Sequence, residues 1–341
     1  MPDIRLLING IKRSHHSSIR LRSSMVEASS SLELTYGAKV PVADLPKPGD
    51  RLRLYVGQEQ LFWGNVDRTS TSYDGETVNT VVTARDLVAD ADDSSVHPGV
   101  APLTAPTLKQ VAETLVGEVD GLSLQCEDGS EVLGGWVFER GATVLSELFR
   151  AARSVGYIVR SDGASTVIVE KPAKQTSERL SFSIGGSLDL DHSQRFYECL
   201  VLADVEDSRA SNLDLASKGQ SLDPAIRQSR RLVVIGDRAM TPEIAQRRAE
   251  WEQSIRAAES EKLTASTNTW LAEIGSGVWK VNTLVSVSIP VLGIARQPFL
   301  LSELELFKSD TLESAQHTYV RRGAFLPEPE VPEESFGGLA G

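Results

Sequence analysis

Five histidines are the residues best suited to acid–base work or metal binding. His15 and His16 are adjacent, so on a strand they point to opposite faces and cannot share one ion. His97 sits beside Pro98, and His317 lies in a strand-like stretch near the end of the chain. His192 has the richest company, in Asp189-Leu190-Asp191-His192-Ser193, which holds the residue types of a nucleophilic triad. A triad needs its members to converge in space, which adjacency does not achieve. The segment is read as a polar turn between strands. Gly275-Ser276-Gly277 lacks the spacing of a nucleophile elbow and predicts a tight turn before Trp279. Asp90, Asp92 and Asp93 have the charge for calcium, but the spaced acids, glycine and distant glutamate of an EF-hand are missing, so a solvated linker is expected. No glycine-rich phosphate loop occurs.

Two cysteines, Cys126 and Cys199, cannot build a disulfide framework or a four-thiolate zinc site; each is read as a small buried hydrophobe, in a chain suited to a reducing compartment. The basic residues concentrate at Arg227, Arg230 and Arg231, with Arg247 and Arg248 nearby. Two readings stand: a solvated face paired with acids such as Glu243 and Glu250, or a docking surface for an acidic partner. No catalytic, cofactor-binding or metal-binding residue is assigned, and no cofactor is expected.

Bulk composition narrows the classes further. The 341 residues carry 35 Lys+Arg against 47 Asp+Glu, a net charge of -12, which disfavours tight nucleic-acid binding. Met1 to Ser24 is too interrupted by polar residues for a secretory signal. Val285 to Ala295, the most apolar later stretch, is far shorter than the about 20 residues of a membrane span. Aromatic residues are only 6% of the chain, with no ladder for stacking bases or sugars.

The elements that must position any site are mostly strands. Leu32, Leu34 and Tyr36 alternate with polar residues, and Leu52, Leu54 and Val56 repeat the pattern. Leu61 to Val66 returns after Gly57, and Asp74-Gly75 predicts a hairpin leading into Thr77 to Arg85. Around Asp90, and at Pro98, Pro102 and Pro106, the texture is that of a linker. Thr107 is placed to cap a helix carrying Leu108, Val111 and Leu115, and Thr143 a second carrying Val144 to Val155, stopped by Gly156. Tyr157 to Arg160 and Thr166 to Glu170 form a hairpin around Asp162-Gly163.

Beyond Leu180, strands are expected at Cys199 to Val205, Leu232 to Ile235, Lys262 to Thr269, Leu284 to Ile289, Phe299 to Phe307 and Gln316 to Val320. Asp207 to Gln228 predicts a long polar loop. Thr241-Pro242-Glu243 opens a helix whose apolar stripe is Ile244, Trp251, Ile255 and Ala258. Asp50 to Arg85 and Asn282 to Arg322 share one order of strands and turns, either a duplication or two similar meanders.

The residues Gly49-Asp50, Phe62, Gly64, Val66-Asp67, Thr83, Arg85-Asp86-Leu87 and Asp92 resemble the first barrel of Mu-like baseplate hub proteins from contractile phage tails. That class is related to the late control protein D family and to the N-terminal part of type VI secretion spikes. Ala245, Ala249, Trp251, Trp270, Gly277, Trp279, Asn282, Leu284-Val285, Val287, Pro290 and Leu292-Gly293 resemble its second barrel, and Gly323-Ala324-Phe325 with Pro327 its ending. The resemblance implies a mainly β fold with α+β insertions: two tube-like antiparallel β-barrels, a small α/β domain and a long helix. On this reading residues 1–95 form the first barrel, 96–177 the α/β domain, 178–323 the second barrel with a helical insertion around 241–260, and 324–341 an extended tail rich in Pro and Glu.

It further implies a structural protein of the virion tail baseplate, assembled in the host cytoplasm, with no enzymatic activity. The implied partners are two further copies in a homotrimer, the tail tube or a tube initiator, the central spike and other baseplate proteins. DNA passes through the lumen without specific binding, and no stable membrane association is expected. In a trimer the net charge triples to -36; the acids either line the passage or solubilise the outer surface. Rival readings are a baseplate-associated cell-wall hydrolase and a carbohydrate- or receptor-binding tail module.

Overall fold

The computed structural model describes residues 3–37, 45–75, 77–133, 136–202, 218–235, 242–274 and 277–325. The first β unit contains β1 (Ile4–Ile8), β2 (Ile11–Arg13), β3 (Ser18–Ser24), β4 (Ser31–Tyr36), β5 (Arg51–Val56), β6 (Glu59–Tyr73) and β7 (Val78–Asp86). They lie in the order β3-β4-β7-β6-β5-β1-β2, every pair antiparallel. The two-residue period sets which face is buried: Leu32, Leu34 and Tyr36 enter the core with Leu52, Leu54, Phe62 and Val66. At the β6–β7 turn the Asp74 carboxylate accepts from the backbone N–H and the hydroxyl of Thr77.

The acidic stretch expected to be a linker is instead helix α1 (Ala89–Asp93). Val88 and Ala91 belong to the core of the next module, and Arg85 reaches both Asp67 and Asp93 at 2.6 Å. Burial of two small alternate side chains is enough to fix one turn, which is too short to show a helical period.

Helices α2 (Leu108–Val116) and α3 (Val144–Ser154) begin at Thr107 and Thr143 as expected, α2 with a full capping box through Gln110. They cover a sheet of β8 (Ser123–Cys126), β10 (Thr166–Glu170) and β9 (Ile158–Ser161), in the order β8-β10-β9. The β9–β10 turn anchors this module to the first unit. Gly163 has φ of 86°, its carbonyl accepts from Trp63 N–H at 2.8 Å, and a Cβ there would lie 2.3 Å from the Leu61 carbonyl oxygen. Only glycine satisfies both the backbone angle and the approach.

The chain then forms β11 (Thr176–Leu180), β12 (Gly185–Leu190), β13 (Glu198–Leu202), β14 (Lys218–Leu222), β15 (Arg231–Ile235), α4 (Pro242–Glu259), β16 (Glu261–Thr267), β17 (Thr283–Ile289), β18 (Ile294–Ser309) and β19 (Glu313–Val320). The expected loop 207–228 is corrected in part: residues 218–222 are β14, and 207–217 lie outside the described residues. β14 flanks β13 in the small sheet β14-β13-β15, and α4 packs on it through Ala245 and Ala249 against Cys199 and Val201. The buried face of α4 therefore starts from alanines missing from the expected stripe. Thr241, the side chain of Ile244, and the tail from residue 326 lie outside the described residues.

The second β unit has the order β12-β16-β19-β18-β17-β11. The two units join edge to edge where β18 pairs with β3, from Glu303 opposite Ser24 to Ser309 opposite Ser18. One apolar cluster runs through both, from Leu6 to Tyr319. Asn282 ties the α/β module to this unit, donating to Glu170 at 2.7 Å and accepting from the Ala173 N–H at 2.9 Å.

Candidate assembly interface

The side chains with chemical potential do not converge. The Asp191 carboxylate accepts from the N–H and hydroxyl of Ser193, while the His192 ring meets Arg195 at 3.1 Å, so no Asp–His–Ser relay forms. His317 is fully buried beside Trp279 and Tyr319, and burial pushes its imidazole down to about 4. Burial raises the Cys199 thiol to about 11, the direction opposite to that of a reactive thiolate. Among the described residues no cluster of three His, Cys, Asp or Glu could hold a metal, and no helix is long and apolar enough to cross a membrane. A cleft of about 480 Å³ is lined by Arg179, Ser181, Ser286, Ser288 and Arg296, without an acid or a base.

The arginine concentration resolves largely into intrachain bonds. Arg230 donates to the carbonyls of His192 and Ser193, Arg231 to Glu198, and Arg248 to Glu252 at 3.1 Å while stacking over Trp251. Much of the patch is thus structural, through Glu198 and Glu252 rather than the expected Glu250, whose carboxylate accepts from Gln246; the side chain of Glu243 lies outside the described residues.

What the fold does present is strand edges. β12 pairs only with β16, and Arg68 to Tyr73 of β6 have a strand partner only on the β7 side among the described residues. Both edges carry exposed apolar groups, with Tyr73 79% and Leu190 64% accessible. Unpaired edges of this kind are pairing templates unless something covers them.

The two β units also match each other strand for strand. The order β3-β4-β7-β6-β5 of the first is the order β12-β16-β19-β18-β17 of the second. In the β6–β7 hairpin Val66 faces Ala84, a bulge follows at Asp67, and pairing runs to Tyr73 opposite Val78. In β18–β19 Leu301 faces Tyr319, a bulge follows at Ser302, and pairing runs to Lys308 opposite Glu313. Counted from the bulge, both hairpins close on the same step. β5–β6 and β17–β18 agree as well, each losing register once, after Leu54 and after Val287. The units differ at the outer edge, where β1 joins β5 antiparallel and β11 joins β17 parallel. Bulges are specific local features, so coincident bulges in two hairpins carry more weight than shared strand order.

Comparison with known proteins places this architecture. Residues 3–86 match the family model of the N-terminal domain of the Mu phage baseplate assembly protein GpP-like group. Over 307 residues the sequence is 25% identical to baseplate hub protein gp44 of Escherichia phage Mu, covering 85% of this chain and 80% of that protein. The chain resembles Mu-like baseplate hub proteins. The likeness that Gly49-Asp50 through Asp92 suggests in the sequence falls largely within the matched segment.

Solved structures share the mainly β fold. The 43 kDa tail protein of prophage MuSo2 from Shewanella oneidensis superposes with a TM-score of 0.84 at 23% identity, over 94% of this chain and 99% of that one. A tail protein from Neisseria meningitidis MC58 gives 0.81 at 17% identity, over 96% and 99%. Two residues of the hub-like resemblance make structural bonds in this chain. Asp50 accepts from the side chain of Asn9 and the N–H of Lys47, and the fully buried Trp270 indole donates to the carbonyls of Phe307 and Ser314. Local spacing in the sequence gives no sign of the exposed edges, because an edge is defined by the absence of a neighbouring strand.

Proposed function

We propose that this chain is a structural baseplate hub of a contractile phage tail or a prophage-derived injection machine. Three copies form a ring in which six β units alternate, one face seating a hexameric tail tube or its initiator and the other receiving the trimeric central spike. The observation that carries this reading is the shared register of the two β units. A three-fold object meets a six-fold one without mismatch only if each copy shows two similar surfaces. The likeness to a phage Mu hub protein over most of both chains supports the baseplate setting.

In this role the chain needs no catalytic residues, and the scattered histidines and bonded arginines fit a non-enzymatic protein. No group of side chains among the described residues favours a cell-wall hydrolase or a sugar-binding module. An acidic chain also suits a passage that DNA traverses without sticking. The place of action is the virion tail baseplate, assembled in the host cytoplasm beside other baseplate proteins.

Sedimentation or light scattering at micromolar concentration should give a particle of three times the 37.0 kDa chain mass. A monomer or an even-numbered oligomer across the accessible concentrations would overturn the reading.

A further inference from the structure

Within one copy, the junction between the two β units is a strand pairing of known register. The outer half of β18 accepts β3, with Glu305 opposite Arg22, Leu306 opposite Leu21, and Phe307 opposite Arg20. Leu21 and Leu306 face the core there, while Arg20 and Arg22 face outward and both pair with Glu305. The internal match gives every strand of this junction a counterpart. The bulges at Asp67 and Ser302 make Arg68 to Tyr73 of β6 equivalent to Glu303 to Lys308 of β18. The shared pairings of β4 with β7 and β16 with β19 equate Leu32 with Leu263, and so Leu21 of β3 with Leu188 of β12.

These two counterparts, β12 and the outer half of β6, have no strand partner on their far side among the described residues, and they lie in different β units. We propose that β12 of one copy adds antiparallel to the outer half of β6 of the next, repeating the β3–β18 junction between chains. The transferred register sets Ser187 opposite Ser72, Leu188 opposite Thr71, Asp189 opposite Ser70 and Leu190 opposite Thr69. This inference rests on the hub reading and deepens it by naming the surface at which copies meet.

Side-chain chemistry agrees with this register. Leu188 and Leu190 turn to the same face as Thr69, Thr71 and Tyr73, which removes the exposed Leu190 and Tyr73 from water. Tyr73 comes to lie across from Gly186, where no side chain opposes its ring. Arg68 falls opposite Asp191 and diagonal to Asp189, within reach of both carboxylates. The contact is heterologous, a β6 edge on a β12 edge. Rotation closes it into a ring, and at three copies the ring contains six junctions of one kind, three within chains and three between them.

Cysteine pairs in the full chain test the register. Directly opposed residues on antiparallel strands lie about 4.5–5.5 Å apart at Cα, within disulfide range, whereas diagonal ones lie about 7–8 Å apart. Mild oxidation of the S72C/S187C double variant should give a covalent trimer that reductant dissolves. It should form at least about tenfold faster than in S70C/S187C, which is slipped by two residues. R68C/D191C is a second in-register pair, and neither single variant should cross-link. The reduced variants are weighed first to confirm the trimer. A trimer in which the in-register pairs stay unlinked, or in which the slipped pair links as fast, overturns the register and leaves the hub reading intact. Reduced protein that stays monomeric overturns both.

Discussion

Replacing Gly64 with alanine should cost on the order of 4 kcal/mol of folding stability, a large fraction of the about 5–15 kcal/mol that holds a typical protein folded. Gly64 on β6 faces Asp86 at the end of β7, and a Cβ there would lie 2.0 Å from the carbonyl oxygen of Arg85 and 2.8 Å from the Cα of Asp86. Both obstacles are backbone, so no side chain can swing away. Neither can β7 retreat, because Asp86 exchanges two bonds with Ser30: its N–H donates to the Ser30 carbonyl at 3.0 Å, and its carboxylate accepts the Ser30 N–H at 2.7 Å. Phe62, Val66 and Ala84 fill the space around the crossing and are all buried. Gly37, which has nothing within 4 Å of a Cβ, supplies the control, and Gly37→Ala should stay within about 0.5 kcal/mol of wild type. Urea unfolding of the two variants decides the matter; a Gly64→Ala protein with an unchanged midpoint would contradict the close β6–β7 crossing.

A second large effect should appear in the dependence of stability on pH. Burial raises the Asp86 carboxyl to about 7, although bonds from the Ser30 N–H, the Ser161 hydroxyl and the Val88 N–H pull it back in part. Its folded value is raised, so the stabilisation from its protonated form is fully present below about pH 4 and is lost as pH rises through 7. His317 runs the other way. Burial lowers it to about 4, both ring nitrogens lack a hydrogen-bond partner, and its stabilisation is present above about pH 6.5 and lost as pH falls through 4. Each contribution is on the order of 3–4 kcal/mol, and over the same window they oppose each other.

Single substitutions should separate the two groups. Asp86→Asn leaves His317 unopposed, so stability should fall between pH 6.5 and 4. His317→Leu leaves Asp86 unopposed, and stability should rise over that interval. The position matching His317 in the first unit is Val82, also fully buried, so an apolar side chain has a precedent in the fold. Denaturant midpoints at four pH values suffice. Equal slopes for both variants would show that these two groups do not govern the acid response.

How much of this was legible in the sequence depended on the element. The strands β4 and β5 are legible because each keeps a two-residue alternation, and β6 and β7 because Gly57 and Asp74-Gly75 mark the turns before them and β7 is rich in Val and Thr. The strands β1 and β3 carry a weaker form of the same alternation, in Ile4, Leu6 and Ile8 and then in Ile19 and Leu21. β14, with the sequence Lys218-Gly219-Gln220-Ser221-Leu222, has no alternation to read. It is held by context: a Cβ on Gly219 would lie 2.1 Å from the Ala245 carbonyl oxygen, so the helix α4 sits directly on the strand.

The candidate interface was half legible. Strand order suggested a duplication, but order alone is common among meanders. Its strongest support, the matched bulges at Asp67 and Ser302, has no signature in residue type. Asp and Ser are unlike, and neither is an unusual residue on a strand. The paired edges depend on which strand lies beside which, and that is fixed by contacts such as Leu21 to Leu306, far apart in sequence.

The central claim is that one chain supplies two equivalent positions of a six-position ring. Electron microscopy of the purified protein, averaged down its symmetry axis without imposed symmetry, tests this most directly. Six similar lobes around one opening should appear, alternating between two slightly different kinds, with the α/β module marking every second lobe. Three lobes, or two β units of each chain stacked along the axis rather than side by side in the ring, would contradict it.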